Sequence, residues 1–388
     1  MTFKTIPLQA VAKISSGDGA PQSDLDFAES GVPFVRAGSL PKLLGGESEA
    51  DLEHLRDDAI RSRGMRIYST GTILFAKSGM SCTKGHVYRL RQPSAVVNHL
   101  AAVECGPSIA PSFLVHWLRA NPPTNLIENA AYPSIKISAI RSIAVPVPPL
   151  PEQKRIAAIL DSADALRDKR RESIRQLDAL IQSTFIEMFG DPVKNPMGWE
   201  IAELQNVSDV RDGTHDSPKY VDDGYPLLTS KNFKDGRISI ENASLISREA
   251  FEQINRRSKV DVGDLVMPMI GTVGNPVLIR DEPMFAIKNV ALIKRIENGA
   301  DAQFLQTLLS SHYFDHVTRK SNRGGTQKFV ALKDLRTMPI YVPPRAMQES
   351  FGTSVAAITA LKEKLVQHLA ALDALFFSLQ TRAFAGEI

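Results

Sequence analysis

Two long stretches of the chain carry apolar side chains at a seven-residue spacing. From Glu152 to Phe189 the sequence contains no Gly or Pro, and its apolar residues fall into columns typical of an amphipathic α-helix. Similar columns return between Arg345 and Ala383. At a rise of 1.5 Å per residue, each stretch predicts a helix about 55 Å long. The columns are Ile156, Ala163 and Leu177; Ile159, Leu166 and Leu180; Leu160, Ile174, Ile181 and Met188; then Phe351, Ile358, Leu365, Leu372 and Leu379; Leu361 and Leu375; and Val355, Leu369 and Phe376.

The length of these columns favours two helices that pair with each other. Helices in globular domains are usually much shorter, and a sustained heptad buries its apolar stripe against a similar partner. Because a globular segment separates the two stretches in the chain, the expected pair is antiparallel. The sequence leaves open the alternative of two ordinary core helices in separate domains.

The residues before each long stretch alternate between short β-rich runs and short helical patterns. TILFA (72–76) and DLVMPM (264–269) have the length and composition of buried strands, whereas PSFLVHWLRA (111–120) and AQFLQTLLS (302–310) have helical spacing. The pairs Pro148-Pro149 and Pro343-Pro344 end these segments, since two prolines interrupt a strand and permit a helix to follow. Each segment is therefore predicted to be a mixed α/β globule.

The chain contains an internal repeat. FKTIPLQAVAKISSG (3–17) aligns with WEIAELQNVSDVRDG (199–213), GTILFAKSG (71–79) with GDLVMPMIG (263–271), and ISAIRSIAVPVPP (137–149) with LKDLRTMPIYVPP (332–344). The tetrapeptide LDAL at 177–180 returns at 372–375. Unrelated α/β domains share scattered Gly and Leu matches, but collinear blocks at a nearly constant offset indicate a duplication that spans the chain.

Together these patterns predict an α+β protein in which two mixed α/β domains are joined by two long antiparallel helices that form a coiled coil. The duplication adds an approximate twofold relation between the halves. The expected parts are a first globular domain at 1–150, a central spacer helix at 151–190, a second globular domain at 191–344 and a C-terminal spacer helix at 345–388.

Composition agrees with a folded, water-soluble protein of more than one domain. The chain has 388 residues, of which 43% are hydrophobic and 23% charged, and its net charge is +3. A pI near 8.7 permits a polyanionic partner without requiring one. Two cysteines are too few for a disulfide framework or a thiolate zinc site. No apolar run reaches the length of a membrane span or signal peptide, so we expect a cytoplasmic protein without membrane contact.

Catalytic patterns are weak. NPPT (121–124) matches the (D/N)PP(Y/F/W) tetrapeptide of amino-methyltransferases, but Thr124 stands where an aromatic residue stacks on the flipped base. GMSCTKGH (79–86) does not fit a phosphate-binding P-loop, and the eight histidines lack metal-ligand spacing. Adjacent carboxylates such as Asp222-Asp223 are typical of solvated loops. The sequence therefore predicts no catalytic residue, metal or cofactor on this chain.

Basic residues, in contrast, are segregated. No acidic residue lies between Asp58 and Glu104, and a shorter basic stretch lies between Asp315 and Asp334 around an RGGTQK segment. Such stretches are typical of surfaces that neutralise phosphates, while neighbouring polar side chains can read base edges. A solvated face is the alternative for either stretch alone. The candidate DNA-binding residues are Arg61, Arg63, Lys77, Ser78, Lys84, His86, Thr229, Ser230, Lys231, Asn232, Arg323, Gly324, Thr326, Gln327 and Lys328.

Three segments carry a family resemblance. PPLPEQKRIAAILD (148–161), its weaker copy PPRAMQESFGTSV (343–355) and GTQKFVALKDLRTMPIYVPP (325–344) resemble the specificity (S) subunit of type I restriction-modification systems. The resemblance covers essentially the whole chain. It implies a non-catalytic subunit with two target-recognition domains, each reading one half of a bipartite site in double-stranded DNA, and helices that act as a ruler between them.

The resemblance also implies partners. Such subunits associate with two adenine methyltransferase (M) subunits and, for restriction, with motor-nuclease (R) subunits, so S-adenosylmethionine and ATP are expected on those partners. The second repeat departs from the pattern, because Arg345, Ala346 and Met347 replace the Leu, Pro and Glu of 150–152. Two rival hypotheses remain: a coiled-coil scaffold without a DNA role, and a degraded DNA methyltransferase.

Overall fold

The computed structural model describes residues 3–234, 236–271, 273–319 and 329–388. The chain divides into two compact units: unit 1 comprises Met1–Arg170 with His368–Ile388, and unit 2 comprises Arg171–Gln367. Each unit thus contains one globule and about half of each long helix. The four-part division predicted from sequence character is a different partition, and it stays a prediction.

Both long helices are present in the described residues. They span 40 and 41 residues and begin directly after the two proline pairs, close to the predicted positions. The described α-helices are α1 (Leu40–Leu44), α2 (Asp57–Arg63), α3 (Pro111–Ala120), α4 (Ile137–Arg141), α5 (Leu150–Phe189), α6 (Leu204–Val207), α7 (Arg248–Ser258), α8 (Ala302–Leu309), α9 (His312–Thr318), α10 (Leu332–Arg336) and α11 (Arg345–Ala385).

The globule of unit 1 is built on three sheets. Their strand orders are β1-β11, β2-β10-β7-β8 and β3-β5-β4-β9-β6. The described strands are β1 (Thr5–Pro7), β2 (Ala12–Ser16), β3 (Phe27–Ala28), β4 (Val32–Val35), β5 (His54–Leu55), β6 (Ile67–Tyr68), β7 (Ile73–Ala76), β8 (Val87–Arg89), β9 (Ser94–Val96), β10 (Leu100–Cys105) and β11 (Ala144–Pro146).

The globule of unit 2 repeats this plan. Its sheets have the orders β12-β23, β13-β22-β19-β20 and β14-β18-β15-β21, with a further hairpin β16-β17. The described strands are β12 (Ile201–Glu203), β13 (Asp209–Asp212), β14 (Tyr220–Val221), β15 (Tyr225–Leu228), β16 (Phe233–Lys234), β17 (Arg237–Ile238), β18 (Ser244–Ile246), β19 (Leu265–Pro268), β20 (Val277–Leu278), β21 (Ala286–Ile287), β22 (Val290–Lys294) and β23 (Pro339–Tyr341).

The internal repeat is confirmed by strand pairing. In each unit a central strand is antiparallel to both neighbours, β10 with β2 and β7, and β22 with β13 and β19. Each second sheet contains one parallel pair, β4 with β9 and β15 with β21. Such a match in order and direction shows that the two halves share one topology.

Strand β7 is buried on both faces, which explains why its sequence is apolar without alternation. Ile73 and Phe75 belong to the core that includes α3 and the long helices, whereas Leu74 and Ala76 belong to the core of the second sheet. A strand buried on both faces needs no polar side. In unit 2, β19 has the same position, with Leu265 and Met267 in one core and Val266 in the other.

Within each unit the two long helices run antiparallel, as predicted. In unit 1 the Arg167 guanidinium lies 2.6 Å from the Asp373 carboxylate. In unit 2, Lys362 forms the matching ion pair with Asp178.

In one predicted heptad column of each long helix, the leucines do not lie in the seam between the helices. They remain 46–55% exposed, because a pair of helices buries only a narrow stripe of each and leaves the adjoining column in solvent. The columns are Ile159, Leu166 and Leu180 on α5, and Leu361 and Leu375 on α11.

A buried glutamine joins each long helix to its globule. The Gln153 Oε1 accepts a hydrogen bond from the Ala110 amide at 2.8 Å, and its Nε2 donates to the carbonyls of Ser108 and Pro148 at 3.0 and 2.8 Å. In unit 2, Gln348 accepts from the Asp301 amide at 2.8 Å and donates to the Pro343 carbonyl at 2.7 Å. The glutamine shared by both proline-pair segments therefore fixes the start of each helix.

Replacing Gln153 with Leu is expected to lower the free energy of unfolding by about 1 to 3 kcal/mol for each buried polar group left without a partner. Chemical denaturation monitored by circular dichroism measures this loss. Gln176→Leu is the matched control, since Gln176 is an exposed residue of the same helix. Equal unfolding midpoints for the two variants would contradict the role assigned to Gln153.

Candidate nucleic-acid interface

The predicted residues Lys77 and Ser78 lie in the loop that leaves β7. The Lys77 amide donates to the His99 carbonyl at 2.9 Å, and the Lys77 carbonyl accepts from the Ile135 amide at 2.7 Å. The Ser78 Oγ lies 2.7 Å from the His99 Nδ1, and Ser78 pairs with Ser134 in an isolated bridge. Three chain segments thus meet at one end of the sheet, and we call Lys77, Ser78, His99 and Ser134 the unit 1 loop cluster.

Lys84 and His86 lie on either side of a tight turn close behind this cluster in sequence. Residues Met80–Lys84 form a 3-10 helix that ends at Gly85, where φ is +65°. A Cβ at Gly85 would lie 3.1 Å from the Pro122 side chain, so glycine is required both for its conformation and for this contact. Lys84 is exposed, and His86 is half-buried.

The NPPT segment supports this turn. Pro123–Leu126 forms a second 3-10 helix after α3, and the Thr124 side chain would lie 3.4 Å from a Cβ at Gly85. The tetrapeptide is therefore the proline turn that follows α3, and its role is to pack against Gly85.

Arg61 and Arg63 lie on α2, and both side chains have partners outside the loop cluster. The Arg63 guanidinium lies 2.7 Å from the Asp26 carboxylate, and the Arg61 Nε donates to the Asp57 carbonyl at 3.2 Å. In the described part of the chain, no hydrogen bond or ion pair links either arginine to Lys77 or Ser78. Their proposed contacts with DNA remain predictions.

In unit 2, the predicted residues 229–232 form a 3-10 turn directly after β15. The Asn232 Oδ1 accepts from the Thr229 amide at 2.9 Å, and its Nδ2 donates to the Ser239 carbonyl at 3.1 Å. Asn232 is 7% exposed, so its amide stabilises the turn. Ser230 is half-buried and Lys231 is exposed, so these two side chains face solvent from a fixed backbone.

The matching turn of unit 1 was not identified from the sequence. Around Ala37–Ser39, directly after β4, the Arg36 amide donates to the Ser39 Oγ at 3.3 Å, and the Ser39 amide donates to the Arg36 carbonyl at 3.0 Å. The Arg36 Nε lies 2.7 Å from the Glu53 carboxylate, and its guanidinium lies 5.0 Å from the Phe34 ring centroid. An alignment of VRAGS (35–39) with LTSKN (228–232) by the repeat would have revealed it.

Five predicted residues lie outside the described residues: Arg323, Gly324, Thr326, Gln327 and Lys328. The chain that follows them is described. Phe329 pairs with Ile270 in an isolated bridge, and the Val330 amide donates to the Met269 carbonyl at 3.1 Å. This bridge corresponds to the Ser78–Ser134 bridge of unit 1, so the chain rejoins the sheet at the equivalent strand end.

A polar cluster at the same strand end of unit 2 was also missed. The His215 Nδ1 lies 2.8 Å from the Asn289 Oδ1, and the His215 Nε2 lies 2.8 Å from the Asp212 carboxylate. Hydrogen bonds with Asn289 and Asp212 raise the pKa of His215. Asp212 is 4% exposed and also lies 2.5 Å from the Arg257 guanidinium. The Asn289 backbone has a left-handed conformation, with φ +54°. The sequence signal for this cluster was an Asn shortly before the central strand in both halves, in VVNHL (96–100) and IKNVA (287–291).

Each globule therefore presents cationic and neutral polar groups at equivalent strand ends. Lysine ammonium groups bind phosphates, while hydroxyl, imidazole and amide groups form hydrogen bonds with base edges. Among the described residues, no group of three or more His, Cys, Asp or Glu is placed to hold a metal ion. No described helix is both long and apolar enough to cross a bilayer.

Comparison with known proteins finds similarity to type I specificity subunits. The profile of the type I restriction modification DNA specificity domain matches residues 1–176. A curated relative matches along nearly the whole chain. The EcoBI specificity subunit of Escherichia coli is 22% identical over 421 aligned positions, which cover 99% of this chain and 85% of the relative. The chain is thus similar to type I specificity subunits, through the profile over its first 176 residues and through this relative along nearly its whole length. The resemblance seen in the sequence is confirmed.

Further specificity subunits and solved structures agree. The MjaVIII specificity subunit of Methanocaldococcus jannaschii is 25% identical over 253 residues, which cover 60% of this chain and 59% of that relative. The S subunit structure from M. genitalium has a TM-score of 0.59 at 13% identity and covers 99% of this chain and 96% of its own. A chain from a structure of type I R-M complex assembly and conformational transition has a TM-score of 0.55 at 18% identity. The match covers 100% of this chain and 98% of that chain. These likenesses establish the specificity-subunit fold.

Proposed function

We propose that this chain is the DNA sequence-recognition subunit of a type I restriction-modification complex. Each globule reads one half of a bipartite target, and the paired helices set the gap between the halves. The observation that supports this most strongly is the duplication of one globule with polar groups at equivalent strand ends, in a chain whose residues 1–176 match the type I specificity-domain profile.

The chain supplies recognition, and its partners supply the chemistry. S-adenosylmethionine belongs to the methyltransferase subunits and ATP to the restriction subunits. The rival hypothesis of a degraded methyltransferase predicts that the isolated chain binds S-adenosylmethionine. Heat of binding in a calorimetric titration of the purified chain with that cofactor would favour the rival.

Titration of duplex DNA at several salt concentrations tests the DNA role. The protein is assembled with its methyltransferase partner, because the complex is the form proposed to read DNA. Phosphate contacts release counterions, so the affinity should fall steeply as salt rises. Binding that is absent, or that is insensitive to salt, would favour the scaffold hypothesis. Mapping of methylated adenines in the host genome should then give a bipartite motif, and a continuous short palindrome would contradict the proposal.

The half-exposed leucines of the long helices support two methyltransferase docking sites. Unit 1 carries Leu166 and Leu375, and unit 2 carries Leu361 and Leu180, one from each helix in both cases. Exposed leucines repeated in this way mark an interaction surface rather than scattered surface residues. Since the two units present the same set, two copies of one partner fit them.

Replacing Leu166 with Glu is expected to weaken association with the methyltransferase subunit without unfolding the chain. The carboxylate would be desolvated at the interface, whereas in the free protein the residue is 55% exposed. Size-exclusion chromatography of the mixed subunits measures the loss, and it should affect one of the two methyltransferase copies. Ala179→Glu, at another exposed position of the same helix, serves as control. A complex that keeps both copies with Leu166→Glu would rule out this surface.

Lys84→Ala and Lys328→Ala are expected to weaken different halves of the DNA footprint. Each removes a cation that is close in sequence to candidate polar residues, Ser78 and His86 for Lys84 and Gln327 for Lys328. A lost base contact costs about 1 to 3 kcal/mol, which is about 5- to 150-fold in affinity. Footprinting on the native target locates the loss. If both substitutions erased the same half-site, the assignment of one half-site to each globule would be wrong.

A further inference from the structure

In unit 1, helix α3 is bound to the long helix α5 by polar side chains. The His116 Nε2 lies 2.7 Å from the Asp161 carboxylate on α5, and the His116 ring is buried. One turn further along α3, the Arg119 Nη1 lies 3.3 Å from the Asp164 carboxylate, also on α5. The Arg119 Nε donates to the Val87 carbonyl at 3.2 Å, so the same side chain also reaches strand β8.

The network continues into α11. Asp164 also lies 2.6 Å from Arg167, which in turn lies 2.6 Å from Asp373 and 4.3 Å from the ring centroid of Phe376. Ion pairs of Arg119, Asp164, Arg167 and Asp373 thereby join the globule to both long helices, and the hydrogen bond between His116 and Asp161 lies beside them. We call this set the polar lock; its members are His116, Arg119, Asp161, Asp164, Arg167 and Asp373.

Unit 2 has uncharged residues at most of the corresponding positions. The repeat places Thr307 and Ser310 where unit 1 has His116 and Arg119, and Ala356 and Thr359 where it has Asp161 and Asp164. The pair of Lys362 with Asp178 is retained. In the described part of unit 2, no ion pair joins α8 to α5 or α11.

Helix α8 is instead held at its N-terminal end. Phe304 packs against Phe185 of α5, with ring centroids 5.7 Å apart, and Phe185 lies 5.5 Å from Phe351 of α11. The adjacent Asp301 amide donates to the buried Gln348. Apolar packing and one hydrogen bond therefore fix this end.

At the other end of α8, Leu308 and Leu309 are buried in the core of unit 2, whereas the side of the helix that carries Gln306 and Ser310 borders open space. A groove of about 700 Å³ lies between α8, β17, β20 and the long helices, and Gln306, Thr307 and Ser310 line it together with Thr359 and Lys362. The Gln306 Nε2 donates to the Pro276 carbonyl at 3.1 Å, within the globule. Unit 2 thus has one fixed end of the helix and room for movement at the other.

We propose that the polar lock is a positioning element of DNA reading: it fixes the first globule on the helix pair, whereas the second globule tilts about the aromatic end of α8. The tilt lets the subunit bind targets whose half-sites are displaced from the ideal gap. This inference rests on the proposed function.

The test changes the lock in both directions. Arg119→Ser with Asp164→Thr gives unit 1 the unit 2 residues at one pair of lock positions, and Ser310→Arg with Thr359→Asp does the reverse. The complex with its methyltransferase subunits is titrated with duplexes that carry the native gap or a gap changed by one base pair. The readout is the dissociation constant for the changed gap divided by that for the native gap. Loss of stability alone would weaken binding to both duplexes alike and leave this ratio unchanged.

Removing the lock should lower this ratio about three- to tenfold, and grafting it should raise the ratio similarly, as expected for the net contribution of one ordinary hydrogen bond. Asp164→Glu should keep the native ratio, and Lys154→Ser, an exposed cation of the same helix, is the control. Hydrogen exchange of the free protein supplies a second readout: the C-terminal half of α8 should exchange faster than that of α3, and the graft should slow it.

The outcomes separate the two proposals. If the parent complex shows no salt-sensitive binding to gapped targets, the proposed function fails, and hydrogen exchange still decides whether the lock fixes the globule. If the parent discriminates between gaps but neither variant changes the ratio, the lock does not position the globule for reading. Equal exchange in α3 and α8 would overturn the inference as well.

Discussion

Lengthening both long helices by seven residues is expected to increase the preferred gap between half-sites by about three base pairs, since seven residues add about 10 Å of helix and DNA rises 3.4 Å per base pair. A whole heptad keeps the phase of the apolar seam. The structure indicates where to insert it. Equal stretches separate Arg167 from Asp178 in α5 and Lys362 from Asp373 in α11, so insertions inside both stretches preserve the two ion pairs.

The extended protein should also bind its new target less tightly than the parent binds its own. Three additional base pairs rotate one half-site by roughly 100° relative to the other, because DNA turns once in about 10.5 base pairs. A single heptad of supercoil does not supply that rotation. Selection from a library of half-sites with variable gaps measures both effects, and a variant with only one extended helix is the control. An unchanged preferred gap would mean that the helices are not the ruler.

Replacing Phe185 with Ala is expected to destabilise unit 2 by about 3 to 5 kcal/mol, the usual range for a large aromatic removed from a core. Phe185 is fully buried at the centre of an aromatic cluster in which ring centroids lie 5.1 to 6.4 Å apart. The cluster consists of Phe185, Phe189, Phe304, Tyr341 and Phe351.

Hydrogen exchange during denaturation assigns the Phe185→Ala loss to a unit. The repeat places Gln380 at the corresponding position of unit 1, where its Nε2 donates to the His116 carbonyl at 3.2 Å. Gln380→Ala is therefore the matched control, and it should cost only about 1 to 3 kcal/mol and act on unit 1. A uniform loss of protection across both units with Phe185→Ala would show that the cluster is not a local core.

The sequence predicted the architecture because architecture depends on periodic patterns. Heptad columns, proline pairs and collinear repeat blocks each repeat over many residues, and they located α5 and α11 closely. Burial of individual residues was harder to predict. The column of Leu166 follows the same heptad as the seam, but a pair of helices has no third helix to cover it.

The candidate site was only partly predictable, for a different physical reason. Charge segregation along the chain does not reveal partners that are distant in sequence. Arg63 pairs with Asp26, and Arg66 lies 2.5 Å from Glu104. Asn232 was selected as a polar reader, yet its amide is satisfied within the turn. Lys77 and Ser78, in contrast, follow a buried strand, and the end of such a strand is where a loop reaches the surface.

Unit 1 is formed by two separate segments of the chain, and this affects how the protein folds during synthesis. Unit 2 is one continuous segment, whereas unit 1 is completed by His368–Ile388. In that segment Phe384 packs on Phe113 with ring centroids 5.6 Å apart, and Ala383 is fully buried. Because a ribosome releases the chain from its N-terminus, unit 2 can fold before the residues that complete unit 1 have emerged. The first globule to be translated is thus expected to be the last to mature, and until then its exposed apolar surface is available to chaperones.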